Sequence, residues 1–202
     1  MPAAREALLD AALSALSTLP WATVRMVDVA SAAGVSRQTL YNEFGSKDGL
    51  ARALVRRAAD GYLAGVERAL QSPGGTEDRL AATAAWTVRA ARTNTLVRAL
   101  LTGCWGERLP RPARLSGPPS SPVPAQRRAD AGPPTPAELL VLVRDRAVAA
   151  LDGGRPPHDL AALAVTCEIA LRLALSYAVA ASSVPTDAAP LVREVVDRWP
   201  AG

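Results

Sequence analysis

The stretch Ser36–Lys47 brings together side chains suited to the edges of bases and to phosphates. Arg37 can fork onto guanine, and Gln38 or Asn42 can pair bidentately with adenine. The hydroxyls of Thr39 and Tyr41 can donate to phosphate oxygens and set a docking register. Lys47 stands where a further helix opens, and there free backbone N–H groups and the helix dipole also favour a phosphate. For Tyr41 the alternative is plain packing of its ring, and for Lys47 a solvated charge. Glu43 and Asp48 read as capping or solvated charges.

Other chemistries find little support. The chain has one histidine, His158, and two cysteines, Cys104 and Cys167, with no CxxC pair. That set cannot build a structural zinc site or a paired redox motif, and it predicts no metal and no cofactor. A disulfide framework is not expected either, which points to a reducing, cytoplasmic setting. No Gly-rich phosphate loop or nucleophile elbow is present, so an enzyme built on a helical bundle is the weaker rival reading. At 202 residues, 49% apolar and 21% charged, the chain can bury a core, and these values argue against wholesale disorder. The net charge of +4 is a mild lean toward polyanions. Arg5, Glu6 and Asp10 interrupt the N-terminus, so no signal peptide is expected. Leu160–Ala181 is apolar enough to be weighed as a membrane span. Glu168 and Arg172 in its middle would each cost roughly 2.5–3.5 kcal/mol at a bilayer centre. A buried soluble helix is the expectation.

The elements that must position Ser36–Lys47 are helices. Leu8, Ala12, Leu16 and Leu19 make one apolar stripe over 4–19, which Pro20 ends. A shorter helix follows over 25–33, with Val27, Ala30 and Ala33 expected inside and Gly34 as its stop. Ser36 can cap Arg37–Phe44, whose Leu40 and Phe44 point inward together. Gly45 closes that helix, and Ser46 can cap 47–70, with periodicity through Leu50, Leu54, Ala58, Tyr62 and Val66. Helices are further expected over 76–92, 94–101, 136–151, from His158 or Asp159 to near 181, and over 188–199 capped by Asp187. Between them, 108–136 holds nine of the 17 prolines and five arginines and reads as an irregular loop.

Two helices joined by a short glycine-containing turn, the second short and packed from one side only, make a helix-turn-helix. At this point Val24–Leu50 resembles the DNA-binding domain of the TetR family of bacterial transcriptional regulators. The matching residues are Val29-Ala30, Ala33-Gly34-Val35-Ser36, Thr39-Leu40-Tyr41, Phe44, Lys47 and Leu50, and their spacing matches as well. The resemblance covers about the first 60 residues. It implies a homodimer on double-stranded, palindromic operator DNA, usually a repressor, and a larger helical domain whose small-molecule effector lowers DNA affinity. It further implies that Ser36, Thr39, Tyr41 and Lys47 touch phosphates, while Arg37, Gln38 and Asn42 choose the sequence. Two departures stand out. Residues 1–57 carry seven basic against five acidic side chains, and the short N-terminus lacks a basic arm. Both predict modest non-specific affinity.

The expected architecture is therefore all-α: a three-helix helix-turn-helix domain over 1–57, then a helical ligand-binding and dimerisation domain over 58–202. Trp86, Trp105 and Tyr177 are either core or the wall of an apolar pocket. Thr87, Asn94, Cys104 and Thr166 could supply its few polar groups, for an apolar or amphipathic ligand. The small residues of the 160–181 helix permit close helix approach. Leu163, Ala170, Ala174 and Ala178, with Val192 and Val196 of the last helix, form the candidate dimer seam. Glu168 and Arg172 read as an intrahelical pair or, alternatively, as a polar anchor. No membrane partner is expected. Rival functions are a constitutive DNA-binding protein and an activator without an effector.

Overall fold

The computed structural model describes residues 2–111, 133–180 and 188–198. Among these residues there are nine α-helices, one 3-10 turn and no strand, so the chain is all-α. It divides into two compact units, Met1–Ala58 with Trp105–Pro133, and Ala59–Cys104 with Pro134–Gly202.

The first unit holds α1 (Pro2–Thr18), a 3-10 turn (Trp21–Thr23), α2 (Met26–Ala32), α3 (Arg37–Phe44) and the opening of α4 (Lys47–Leu70). Helix α1 packs on α2 and α3. Its buried face is Leu8, Leu9 and Ala12. The expected stripe is corrected at its far end: Leu16 is half-buried and Leu19 exposed, because the helix stops at Thr18 and Leu19 lies beyond it. Val27 is also corrected. Helix α2 buries Val29 and Ala30, and that choice of face turns Val27 to solvent at 42% exposure. Arg57 ties α4 to α1 through Asp10 at 2.6 Å and Glu6 at 3.4 Å. Arg5 lies over the Phe44 ring and 3.5 Å from the Glu43 carboxylate, so Glu43 is an ion-pair partner. Residues 105–111 return to this unit: the Trp21 N–H donates to the Arg108 carbonyl at 2.9 Å.

The second unit contains the remainder of α4, then α5 (Thr76–Thr93), α6 (Thr95–Thr102), α7 (Pro136–Leu151), α8 (Pro157–Val179) and α9 (Ala188–Arg198). Thr135 and Glu138 form a capping box and Pro136 stands at the first turn of α7, which is why a helix starts sharply there. Helix α8 packs on α5, α6, α7 and α9. Among the described residues it alone is long and apolar enough to cross a membrane, and 39% of its most apolar window is buried inside the protein. Its start corrects an expectation. Pro156 and Pro157 open it without a side-chain cap, and His158 sits exposed inside the first turn, 3.0 Å from Asp159. Glu168 and Arg172 do pair within the helix, at 2.7 Å. The expected proline-rich loop falls largely, and Asp187 and Trp199 fall wholly, outside the described residues.

Candidate nucleic-acid interface

The site is built from two glycine corners and one cap. Helix α2 ends at Ala33, and Gly34 follows at φ 66°, a left-handed conformation that costs glycine little. Ser36 then accepts a hydrogen bond from the Thr39 N–H at 3.0 Å, which starts α3. Leu40 and Phe44 are buried, at 0% and 8% exposure, and fix which face of α3 turns inward. Gly45 at φ 69° closes the helix. Ser46 caps α4 by accepting from the Gly49 N–H at 3.1 Å. Gly49 has a second role that the sequence reading missed: a Cβ there would run into the Phe44 carbonyl oxygen. No local pattern marks it, because the clash arises from the corner between α3 and α4.

Arg37, Gln38 and Asn42 are exposed, and Thr39, Tyr41 and Lys47 are half-buried. They are organised in pairs. The Gln38 amide donates to the Asn42 side-chain oxygen at 2.9 Å. The Arg37 guanidinium lies 5.3 Å from the centre of the Tyr41 ring. The Ser36 and Thr39 hydroxyls are 2.8 Å apart. Each pair spans three or four residues, the spacing at which helical side chains meet. The face thus offers a guanidinium, two amides and three hydroxyls with part of their order already set. Lys47 donates to the Ala22 carbonyl at 3.0 Å and faces the Trp21 ring. Arg25, at the head of α2, is a further exposed cation, paired with Asp28 at 3.4 Å; it was not singled out in the sequence.

In the second unit a small apolar cavity is lined by Tyr62, Thr87, Leu101, Pro136, Leu139, Leu140, Val143, Leu171 and Leu175. Its volume is about 10 Å³, on the order of one water molecule. Tyr62 and Thr87 share a buried hydrogen bond of 3.0 Å, and Thr87 donates onward to the Thr83 carbonyl. Burial pushes the Tyr62 hydroxyl from 10.0 up to about 12, with the Thr87 bond pulling the other way. Of the seven sequence candidates for a pocket, only Thr87 lines this cavity. Trp86 donates its indole N–H to the Tyr62 carbonyl at 3.0 Å and packs against Gly65, which has no side chain to obstruct it. Asn94 caps α6 by accepting from the N–H groups of Leu96 and Val97. Thr166 bonds back to the Ala162 carbonyl. Tyr177 is half-buried and Cys104 exposed, while Trp105 belongs to the first unit. Tyr62 is the lining residue that the sequence reading placed only in a helical repeat.

Of the candidate seam, Leu163, Ala170, Ala174, Ala178 and Val192 are buried within the chain's own second unit, and Val196 is half-buried. The apolar side chains that α8 and α9 turn to solvent are Val165, Val179 and Leu191, at 53%, 58% and 36% exposure.

Residues 8–54 match the family model of the bacterial regulatory proteins of the tetR family. The HTH-type transcriptional regulator AlkX of Mycobacterium tuberculosis is 46% identical over 68 residues, which is 34% of this chain and 32% of that protein. The HTH-type transcriptional repressor LfrR of Mycolicibacterium smegmatis is 40% identical over 70 residues, 35% of this chain and 36% of that protein. The matches thus span about a third of these relatives. Among solved structures, a tetR-family transcriptional regulator from Streptomyces coelicolor aligns with a TM-score of 0.57 at 23% identity, over 98% of this chain and 79% of that one. The TetR-family repressor AlkX from Dietzia sp., implicated in biodegradation of n-alkanes, aligns at 0.51 and 22% identity, over 96% and 94%. These alignments show that the fold is shared along nearly the whole chain. Over residues 8–54 the chain carries the helix-turn-helix segment of the tetR family of bacterial regulatory proteins, and the remainder shares the fold of solved members of that family.

Proposed function

We propose that this protein is a cytoplasmic, homodimeric transcriptional regulator, a repressor that binds a palindromic operator through residues 1–57 and is released by a small apolar or amphipathic molecule acting on residues 58–202. The observation that carries the DNA-binding half is the outer face of α3. It holds Arg37, Gln38, Tyr41 and Asn42 clear of the core while Leu40 and Phe44 anchor the helix from behind. Arg37, Gln38 and Asn42 read base edges in the major groove; Ser36, Thr39, Tyr41 and Lys47 bind phosphates. A name that includes "repressor" for LfrR supports the direction of control. For the effector half, the FadR structure from Bacillus subtilis, described as a complex with stearoyl-CoA, shares this fold at a TM-score of 0.52 and 14% identity.

One observation favours a second reading, a DNA-binding protein without an effector. The apolar cavity holds about 10 Å³, far below the roughly 300–1,000 Å³ of ordinary ligand pockets. An effector at this cavity therefore has to bind a state in which α5, α7 and α8 have moved apart, and it shifts the population only by its preference for that state. Titrating the operator complex with long-chain acyl compounds and n-alkanes decides between the readings. Release at saturating concentration supports the effector, and unchanged operator affinity across the series supports the constitutive protein.

A further inference from the structure

The turn between α1 and α2 is held from two sides. On one side the Lys47 ammonium donates to the Ala22 carbonyl at 3.0 Å and stands 5.3 Å from the centre of the Trp21 ring. On the other side the Trp21 backbone N–H donates to the Arg108 carbonyl at 2.9 Å, and the Arg108 guanidinium donates to the Thr18 carbonyl at 3.1 Å. Trp21 itself is 9% exposed. Residues far apart in the sequence thus converge on Trp21, Lys47 at its ring and Arg108 at its backbone N–H.

We propose that Trp21 is a positioning residue for DNA binding: its ring holds the Lys47 ammonium in place for a phosphate of the duplex, and Arg108 fixes the Trp21 turn from behind. This rests on the reading of α3 and the head of α4 as the DNA-binding surface. An ammonium carries three donors on a flexible stem. Here one donor goes to Ala22, and the ring face attracts the charge without consuming another. Two N–H groups stay available for phosphate oxygens. The stem is ordered before DNA arrives, so the cost of ordering it on contact falls. Operator affinity then depends on Arg108, which lies outside the helix-turn-helix.

The test is a double-mutant cycle on the full chain with W21L, W21F, R108A and K47A, read by fluorescence anisotropy on cognate and scrambled duplexes. In the Lys47 background, W21L is expected to weaken both duplexes by the same factor, about two- to fivefold. R108A moves affinity in the same direction. In the K47A background neither change has a further effect, and W21F, which keeps a ring face, stays near wild type. A DNA-free readout accompanies it. Lys47 is the chain's only lysine, so its ε-methylene NMR signal is unique, upfield under the ring and back at the free-lysine position in W21L. Equal losses in both backgrounds, a W21F as weak as W21L, or tighter binding by W21L would overturn the proposal while leaving the regulator reading intact. A wild-type protein that binds no DNA overturns that reading and this proposal with it, even if the NMR shift is seen.

Discussion

Arg37 and Gln38 face solvent on α3 with Leu40 and Phe44 buried behind them, so truncating them is expected to remove the proposed base contacts without disturbing the core. Arg37→Ala and Gln38→Ala are each expected to cost roughly 1–3 kcal/mol on the cognate operator and to relax its sequence preference, whereas Lys47→Ala weakens all duplexes evenly and lowers the salt slope by about one. Competition binding against a scrambled duplex checks the division. At high pH two buried groups are expected to contribute to the loss of stability. Burial raises the Tyr62 hydroxyl from 10.0 to about 12 and the Cys167 thiol from 9.0 to about 12, the latter against the opposing pull of Arg144 and Arg155. In both cases the fold disfavours the ionised form. The stability they confer is therefore whole below pH 9 and is lost as pH climbs through 9 to 12. A two-unit shift corresponds to about 3 kcal/mol. Tyr62→Phe is expected to abolish the part of the loss that begins near pH 10. Urea midpoints at pH 8, 10 and 11 for both proteins provide the check, and identical curves would remove Tyr62 as the cause.

At the scale of elements, two glycines carry close packing. A Cβ at Gly65 would meet the Trp86 ring, so Gly65→Ala is expected to cost about 1–3 kcal/mol, read as a fall in the denaturation midpoint. A Cβ at Gly49 would meet the Phe44 carbonyl, so Gly49→Ala is expected to spoil the α3–α4 corner and with it DNA binding, while circular dichroism stays helical. The helix-turn-helix was legible in the sequence because its signals are local. The Ser36 cap, the Gly34 and Gly45 stops and the Leu40–Phe44 spacing each act within a few residues. What was not legible depends on which face a neighbour claims. Val27 fits the helical repeat as well as Val29 does, and only the packing of α2 on α1 decides between them. The same holds for Gly49, and for Trp86, Asn94 and Thr166. Those three had the right chemistry for a pocket but spend their hydrogen bonds on a carbonyl of α4, the α6 cap and the α8 backbone.

For the whole molecule, the alanines of the candidate dimer seam are buried in the protomer, with Ala174 at 0% exposure. Ala174→Glu is therefore expected to unfold the second unit, since it buries an unpaired carboxylate. If the proposed dimer instead uses the exposed side of α8, Val165→Glu is expected to leave a folded chain that no longer dimerises, measured by light scattering with circular dichroism. A Val165→Glu protein that stays dimeric moves the seam away from this face. In a dimer on a palindromic operator, two α3 helices enter major grooves one turn apart, ~34–36 Å, or a multiple of that. The regulator reading depends on sequence-specific DNA binding through α3. The most direct measurement is anisotropy of purified wild type and Arg37→Ala/Gln38→Ala protein on DNA from upstream of its own gene and on a scrambled duplex, at two salt concentrations. The predicted result is a marked wild-type preference for the cognate duplex, a steep salt dependence, and a double variant that loses the preference while retaining the salt dependence. A double variant that discriminates the two duplexes as well as wild type does would contradict the assignment of α3.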